Sequence, residues 1–515
     1  MMKIVKSASR GNLQLGLRFM SSSIPHQRPD APSFPCVDAN ESRAAKLATQ
    51  ANKLTFIKQN NQNQVKIEDV EGEGPEPVYA TPTPATYQSF TSHYPLLLDY
   101  GGVLPNFDIA YETWGSLNQD KSNAILLHTG LSASSHAKSH PGNDTPGWWE
   151  RFIGPGSDYA IDTEKFFVIC TNVLGGCYGS TGPSSPHPED SKPYGTRFPI
   201  ITQFDMVRAQ WRLIDSLGIH KLYASAGCSM GGMQSIAAAH LEPERVRSII
   251  SISGTARSGS TAVAMRFAQR SCLMSDPNWN RGFYYDGMPP HTGMKMARQI
   301  ATITYRSGPE WEQRFGRKRR VTPLSDDEMA TNVNNPGDAP KLCPDFLIET
   351  YLDHQGEQFC LKYDANSLIY VSKAMDLFDM TKPALMDIDQ HRKRNENKVN
   401  KELLGSKTSH SMEPPSLDSV QVNNRKPYIS TAPAVPYAQE LTEGLTRLSK
   451  IPVLIIGVHS DILFPFDQQR ELADSLRKGG DPERVKFFAL DGPWGHDTFL
   501  IDTSNVGGAI RGFLI

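Results

Sequence analysis

The sequence has no apolar run near the roughly 20 residues that a membrane-spanning helix needs. Its net charge is only −2 at pH 7, so no basic excess marks the chain as a nucleic-acid binder. Its 7 cysteines show no Cys-x-x-Cys spacing, which argues against a zinc ribbon or a disulfide framework and fits a reducing compartment. We therefore expect a soluble globular protein with no membrane or nucleic-acid partner and no bound metal.

Acidic residues are absent from the N-terminal segment, where the first acid is Asp30. A basic, serine-bearing and loosely amphipathic segment is typical of a mitochondrial transit peptide, here residues 1–23, with the matrix as its destination. The alternative is a disordered basic tail on a cytoplasmic protein. Residues 24–89, which are polar and rich in proline at both ends, are interpreted as a partly disordered extension.

Short apolar runs alternate with helical patterns from about residue 90 onward. Strands buried on both faces and separated by helices are typical of a parallel sheet in an α/β protein. Apolar residues recur at helical spacing in Phe204–Gly218 and Met230–Pro243. We predict a core formed by residues 90–275 and 446–515. Its strands are predicted within Asn123–Gly130, Phe166–Gly176, Lys221–Cys228, Val246–Gly254, Ile451–Asp461 and Val485–Gly492.

The alternation stops in the middle of the chain. Residues 276–380 are rich in methionine, arginine and aromatic residues at helical spacing, so we predict an inserted helical lid there. Residues 381–445 are interpreted as a polar insert and linker. The stretch 381–430 is polar and low in aromatics, which predicts a mobile loop.

The segment Gly227–Gly231 has the pattern G-x-S-x-G between a predicted strand and a predicted helix. In that context the pattern is typical of a nucleophile elbow, a sharp turn that lifts the hydroxyl of Ser229 clear of the sheet. The competing interpretation is a glycine-rich packing turn. The strand before it and the helix after it favour the nucleophile.

A nucleophilic serine needs a base that is oriented by a carboxylate, and this kind of fold supplies them in the order Ser, Asp, His. Asp461 follows a predicted buried strand, and His496 lies in a loop after the next one, so we predict a triad of Ser229, Asp461 and His496. Other nucleophilic or basic side chains are interpreted as structural or pocket-lining: His128, His136, His140, His459 and Cys228.

An oxyanion formed at Ser229 needs backbone N–H donors. One is predicted from Met230, which opens the helix, and the other from Leu131 in the loop after an early strand. Removing one such donor costs on the order of 3 kcal/mol of transition-state stabilisation.

Several segments together carry a more specific signal: "GCSMGGMQ", "DPNWNRGFY", "YDANSLIYVSKAMDLFD", "IGVHSDILFPFDQQ" and "GHDTFL". They resemble the homoserine O-acetyltransferase family of α/β-hydrolase-fold acyltransferases, which also contains L-serine O-acetyltransferases. The resemblance runs from about Tyr94 to the C-terminus, apart from residues 381–430. It implies an α/β-hydrolase fold with an inserted helical lid.

The resemblance also implies a ping-pong reaction. Ser229 attacks acetyl-CoA, His496 acts as general base held by Asp461, and the acyl group then passes to an amino acid. By the same resemblance Arg270 binds the acceptor's α-carboxylate and Asp497 its α-ammonium. Acetyl-CoA enters as a donor substrate, no cofactor is permanently bound, and a homodimer is compatible with the family.

The identity of the acceptor depends on the loop that follows the strand "NAILL". The oxyanion loop "TGLSASSH" departs from the common homoserine pattern and, with the basic leader, resembles fungal mitochondrial serine O-acetyltransferases. We therefore expect L-serine as acceptor, with L-homoserine as the close alternative. Succinyl transfer, hydrolysis by an esterase or thioesterase, and an inactive binding protein remain open.

Overall fold

A computed structural model describes residues 86–319, 344–405 and 437–515. The predicted transit peptide, the extension up to residue 85 and residues 406–436 lie outside the described residues. The strands are β1 (Gln88–Ser92), β2 (Leu96–Leu97), β3 (Val103–Leu104), β4 (Phe107–Trp114), β5 (Ala124–His128), β6 (Ile153–Gly154), β7 (Ile161–Asp162), β8 (Phe167–Thr171), β9 (Ala224–Cys228), β10 (Ile249–Ile252), β11 (Val453–Val458) and β12 (Val485–Leu490).

The α-helices alternate with the later strands and fill the long gap before β11. They are α1 (Gln203–Ser216), α2 (Met230–Leu241), α3 (Ser260–Met274), α4 (His291–Tyr305), α5 (Gly308–Arg314), α6 (Leu347–Cys360), α7 (Ala365–Asp376), α8 (Lys382–Gly405), α9 (Tyr437–Gly444), α10 (Phe466–Gly479), α11 (Thr498–Ile501) and α12 (Thr503–Leu514).

One sheet of eight strands organises the fold, in the order β1-β4-β8-β5-β9-β10-β11-β12. In this order the strands from β8 through β5 and β9 to β12 run parallel, and β4 pairs antiparallel with both β1 and β8. This mostly parallel sheet between helices confirms the predicted α/β-hydrolase fold.

Both faces of the sheet are buried, as its continuous apolar strands predict. In β5, Leu126 packs into one hydrophobic cluster with side chains of α1, α2 and α10, whereas Ile125 packs into a second cluster with side chains of α12. Both clusters therefore cover the central strands and hold their C-terminal ends in fixed positions.

The two helices predicted beside the sheet are confirmed. α1 is capped by Thr202, whose side chain accepts from the Asp205 N–H while the Asp205 carboxylate accepts from the Thr202 N–H. This reciprocal capping box satisfies two of the four N–H groups that a helix start leaves open. The second helix, α2, starts directly after Ser229.

Helices α3 to α7 form what we call the helical insertion, Ser260–Asp376, between β10 and β11. It has its own cluster of buried side chains, including Leu273, Met294 and Phe359. The insertion begins before the predicted boundary at residue 276, because α3 packs mainly against α4 and α7.

The structure differs from the predicted mobile loop at its start, where Lys382–Gly405 form helix α8. Between Pro383 and Gly405 the sequence has no helix breaker and is rich in lysine, arginine, glutamate and leucine, which favour helix. Ile388 is buried, and the Asn395 amide donates to the carbonyl of Leu98 at 3.0 Å. The prediction of a loop from the polar composition was wrong at this point, because side-chain hydrogen bonds attach the helix to the rest of the protein.

Candidate active site

Ser229 lies at the turn between β9 and α2 with φ 60° and ψ −123°, outside the regions that residues with a side chain prefer. Its N–H donates to the carbonyl of Ile252 at 2.8 Å, which fixes the turn to β10. A Cβ on Gly231 would lie 2.1 Å from the His128 carbonyl oxygen, so only glycine lets the helix approach the sheet here. The strained geometry is that of the predicted nucleophile elbow.

Ser229, His496 and Asp461 are brought together although they are far apart in sequence. The Nε2 atom of His496 lies 2.7 Å from Ser229 Oγ, and its Nδ1 atom lies 2.6 Å from Asp461 Oδ2. All three residues are buried, with 8%, 4% and 4% of their surfaces exposed for Ser229, His496 and Asp461. The arrangement links a hydroxyl to a base and the base to a carboxylate.

Sequence reasoning missed the groups that hold the acid and the base in place. The N–H groups of Leu463 and Phe464 donate to Asp461 Oδ1 at 2.9 and 2.8 Å. The Phe464 ring stacks on the His496 imidazole with centroids 4.9 Å apart. Both contacts come from the loop after β11, so the motif "HSDILFP" both supplies the acid and packs the base.

The two proposed oxyanion donors lie beside Ser229. Met230 is the first residue of α2, and N–H groups in the first turn of a helix have no acceptor four residues back. Leu131 lines the same cavity as Ser229, and its carbonyl accepts from the Tyr363 hydroxyl at 2.9 Å. A residue between α6 and α7 therefore fixes the loop next to the nucleophile.

A cavity of about 160 Å³ opens onto the Ser229 hydroxyl and the His496 imidazole. The sheet side contributes Gly130–Ala133 and Leu463, and the helical insertion contributes residues of α3, α4, α6 and α7. Most of its lining is apolar, and the charged lining residues are Arg266, Arg298 and Asp497, besides His496. The helical insertion therefore shapes the space that a substrate would occupy.

Asp497 lines this cavity beside His496, as its place in the sequence predicts, and its Oδ2 lies 3.0 Å from Arg306 Nε. Arg270 is buried but does not line the cavity. Its guanidinium bonds to Asp376 Oδ2 at 2.5 Å and to Ser372 Oγ at 3.2 Å. Arg266, one turn earlier on α3, lines the cavity instead, and sequence reasoning did not single it out.

Two of the rival residues are buried in the core. His128 Nε2 contacts Ser225 Oγ at 2.8 Å, and burial lowers the pKa of His128 to about 3, so its imidazole is neutral. Cys228 packs in the cluster on one face of the sheet, and burial raises the pKa of its thiol well above the usual range. A buried thiol is a poor nucleophile.

Glu112, His136 and His140 bring three possible metal-ligand atoms within 4.8 Å of one another. All three side chains are engaged in hydrogen bonds. The Glu112 carboxylate contacts His136 Nδ1 at 2.8 Å and His140 Nε2 at 2.9 Å. His140 Nδ1 accepts from the Gly142 N–H, which places the His140 proton on Nε2, toward Glu112.

His136 contacts an acceptor with each ring nitrogen, Glu112 on one side and the Thr145 carbonyl at 2.9 Å on the other. Both nitrogens therefore donate, which requires an imidazolium. Burial lowers the pKa of His136, but the hydrogen bonds with Glu112 and Thr145 outweigh it and raise the pKa above its usual value. The cluster is a buried ion pair that holds the loop after Leu131.

Among the helices of the described ranges, none is long and apolar enough to cross a membrane.

Comparison with known proteins identifies the family. The model of the α/β hydrolase fold family matches residues 123–503. A serine O-succinyltransferase of Emericella nidulans is 52% identical over 98% of this chain and 92% of its own length. A serine O-succinyltransferase of Schizosaccharomyces pombe is 50% identical over 94% of both chains. The chain belongs to the α/β-hydrolase acyltransferases.

Solved structures agree with this membership. Esterase E22 is 26% identical with a TM-score of 0.63, and the match covers 83% of this chain and 99% of the esterase. A homoserine O-acetyltransferase from Bacillus anthracis, 23% identical with a TM-score of 0.62 over 83% of this chain and 97% of its own, shares the fold. The relay of Ser229, His496 and Asp461 thus lies in a fold that also carries an esterase.

Proposed function

We propose that this acyltransferase moves a succinyl group from succinyl-CoA to the side-chain hydroxyl of L-serine through an acyl ester on Ser229. The observation that carries the proposal is the relay of 2.7 and 2.6 Å from Ser229 through His496 to Asp461. The two fungal relatives, both named serine O-succinyltransferase and at least half identical to this chain, support the choice of acyl group and acceptor.

The first half-reaction acylates the enzyme. His496 Nε2 accepts the Ser229 proton while Ser229 Oγ bonds to the thioester carbonyl carbon. The carbonyl becomes an oxyanion, which the N–H groups of Met230 and Leu131 stabilise. The carbon–sulfur bond then breaks, and the coenzyme A sulfur takes the proton from His496.

The second half-reaction transfers the acyl group. The acceptor hydroxyl gives its proton to His496, and its oxygen bonds to the ester carbonyl carbon. The bond to Ser229 Oγ breaks, and Ser229 recovers the proton, which leaves O-succinyl-L-serine. Asp461 accepts from the Nδ1 side of His496 throughout, which fixes the tautomer and stabilises the imidazolium.

The acceptor is a zwitterion, and we assign its α-ammonium to Asp497 at the cavity wall. The family resemblance assigns its α-carboxylate to Arg270, but the Arg270 guanidinium bonds to Asp376 and Ser372 and does not line the cavity. L-Homoserine is the second acceptor, because one methylene is worth only about 1–3 kcal/mol of discrimination.

The test is a matrix of L-serine and L-homoserine against succinyl-CoA and acetyl-CoA, followed as release of the coenzyme A thiol. We expect the highest kcat/KM for succinyl-CoA with L-serine. A higher value with acetyl-CoA would instead support acetyl transfer, which the family resemblance predicts.

Hydrolysis is the second candidate function, because esterase E22 has a comparable fold and water can resolve the same acyl ester. The charged residue Asp497 favours transfer, since it offers a partner to an amino acid but none to water. Sustained thiol release at an equal rate with and without an amino acid would identify a hydrolase.

A further inference from the structure

Arg266 is an unusual residue for an apolar cavity wall. It lies on α3 with only 3% of its surface exposed, and it lines the cavity that holds Ser229 and His496. Burying a guanidinium is costly unless an opposite charge and hydrogen bonds compensate for it. The hydrogen bonds of the Arg266 guanidinium therefore show whether a ligand in the cavity has to supply a further partner.

Two buried guanidinium groups share one carboxylate at this wall. Arg266 Nε bonds to Asp376 Oδ1 at 2.6 Å, and Arg270 Nη2 bonds to Asp376 Oδ2 at 2.5 Å. The remaining bonds of the pair go to neutral hydroxyls, from Arg266 Nη2 to Ser258 and from Arg270 Nη1 to Ser372. The cluster of Arg266, Arg270 and Asp376 therefore has one excess positive charge.

One donor of the cluster is still unused. Arg266 Nη1 is buried and has no hydrogen-bond acceptor among the described residues. A buried donor without a partner costs about 1–3 kcal/mol, and more when the group is charged. An anionic ligand in the cavity would supply both the missing acceptor and the missing charge.

The charges of the substrates show which of their groups could neutralise the excess positive charge of the cluster. An amino-acid acceptor is a zwitterion and brings no net charge into the cavity. An acetyl group brings none either. A succinyl group on Ser229 brings one free carboxylate, which is equal and opposite to the excess charge of the cluster.

We propose that the Arg266 guanidinium binds the free carboxylate of the succinyl group and thereby makes the site select a dicarboxylic acyl donor over acetyl-CoA. The proposal rests on the proposed succinyl transfer through Ser229. Arg270 is then a positioning residue, because it helps to neutralise Asp376 and leaves Arg266 available to the ligand.

The test measures acylation alone, by rapid mixing of the enzyme with succinyl-CoA or acetyl-CoA without an acceptor. In Arg266→Met we expect kcat/KM for acylation by succinyl-CoA to fall at least about thirtyfold, and that for acetyl-CoA to change less than about threefold. Arg266→Gln, which keeps an N–H donor for Asp376 but no charge, should show the same selective loss if the methionine variant does not fold.

Arg257→Met is the matched control, because it removes a partly buried arginine that pairs with Glu471 through two bonds of 3.1 Å and does not line the cavity. Its ratio of the two donor rates should equal that of the wild type. Equal losses with both donors, or no loss with either, in the Arg266 variants would overturn the proposal. Failure of the wild type to form an acyl-enzyme from succinyl-CoA would instead refute the proposed succinyl transfer.

Discussion

The hydroxyl of Tyr363 donates to the carbonyl oxygen of Leu131 across 2.9 Å and joins the helical insertion to the loop beside Ser229. Tyr363 is buried, with its ring stacked on Phe359 at a centroid distance of 5.1 Å. The residue that carries a proposed oxyanion donor is thus held, through its carbonyl, by a side chain from outside the sheet.

Tyr363→Phe should lower kcat about tenfold and leave KM for the acyl donor nearly unchanged, because a displaced oxyanion donor weakens only the transition state. The unfolding free energy should fall by about 1 kcal/mol, since the Leu131 carbonyl loses a partly buried hydrogen bond. Steady-state kinetics and urea unfolding measure the two effects. Tyr370→Phe, which removes a 3.1 Å bond to the Thr196 carbonyl, is the control, and an equal loss of kcat there would contradict the explanation.

Ser229→Ala should abolish the acyl-enzyme and lower kcat by roughly 10⁶, the scale seen when a serine nucleophile is removed. Intact-protein mass spectrometry after mixing with donor but no acceptor detects the adduct. Cys228→Ala tests the neighbouring rival and should keep the adduct, because that thiol is buried in the core. An adduct that persists in Ser229→Ala and disappears in Cys228→Ala would show that the nucleophile is wrongly assigned.

Gly231→Ala should destabilise the protein by more than about 3 kcal/mol, because its Cβ would meet the His128 carbonyl oxygen at 2.1 Å and backbone has to move. Gly508→Ala is the matched control in α12, where nothing lies within 4 Å of the added Cβ. There the same substitution should stabilise by about 0.5–1 kcal/mol. Thermal unfolding of both variants checks the prediction, and similar shifts would argue against the close approach of α2 to β5.

The ion pair of His136 and Glu112 should make stability depend on pH. Because the folded-state pKa of His136 is raised, the pair stabilises fully below about pH 6.5 and loses its effect as the pH rises through the folded-state pKa. The stability difference between wild type and His136→Gln should therefore shrink with rising pH above about 6.5, as measured by urea unfolding.

His128→Gln provides the opposite control. The pKa of His128 is lowered to about 3, so its imidazole is neutral in the folded state, and the difference from wild type should stay constant above about pH 6.5. A constant difference for His136→Gln as well would show that His136 is not protonated in the folded protein.

The sequence was sufficient to predict that Ser229, Asp461 and His496 lie together, because their signals are local. G-x-S-x-G needs only a strand before it and a helix after it, and Asp461 and His496 each follow an apolar run. The structure places all three in one relay.

Arg266 was not predictable in the same way. Arg266 and Arg270 are one turn apart on α3, and which of them reaches the cavity depends on how α3 packs against α7. Sequence periodicity gives the face of a helix but not the neighbour to which that face turns. For the same reason the anchors of α8, such as Asn395 on the Leu98 carbonyl, could not be foreseen.

Strands β10 and β11 pair in parallel, with Ile249 opposite Val453, although the helical insertion lies between them in the chain. Ser229 precedes the helical insertion in the chain, and Asp461 and His496 follow it. The relay can therefore form only after β10 and β11 have paired. Contacts between such distant segments slow folding more than they reduce stability. The same arrangement also leaves evolution free to exchange the helices that shape the substrate space while the reacting groups stay anchored to the sheet.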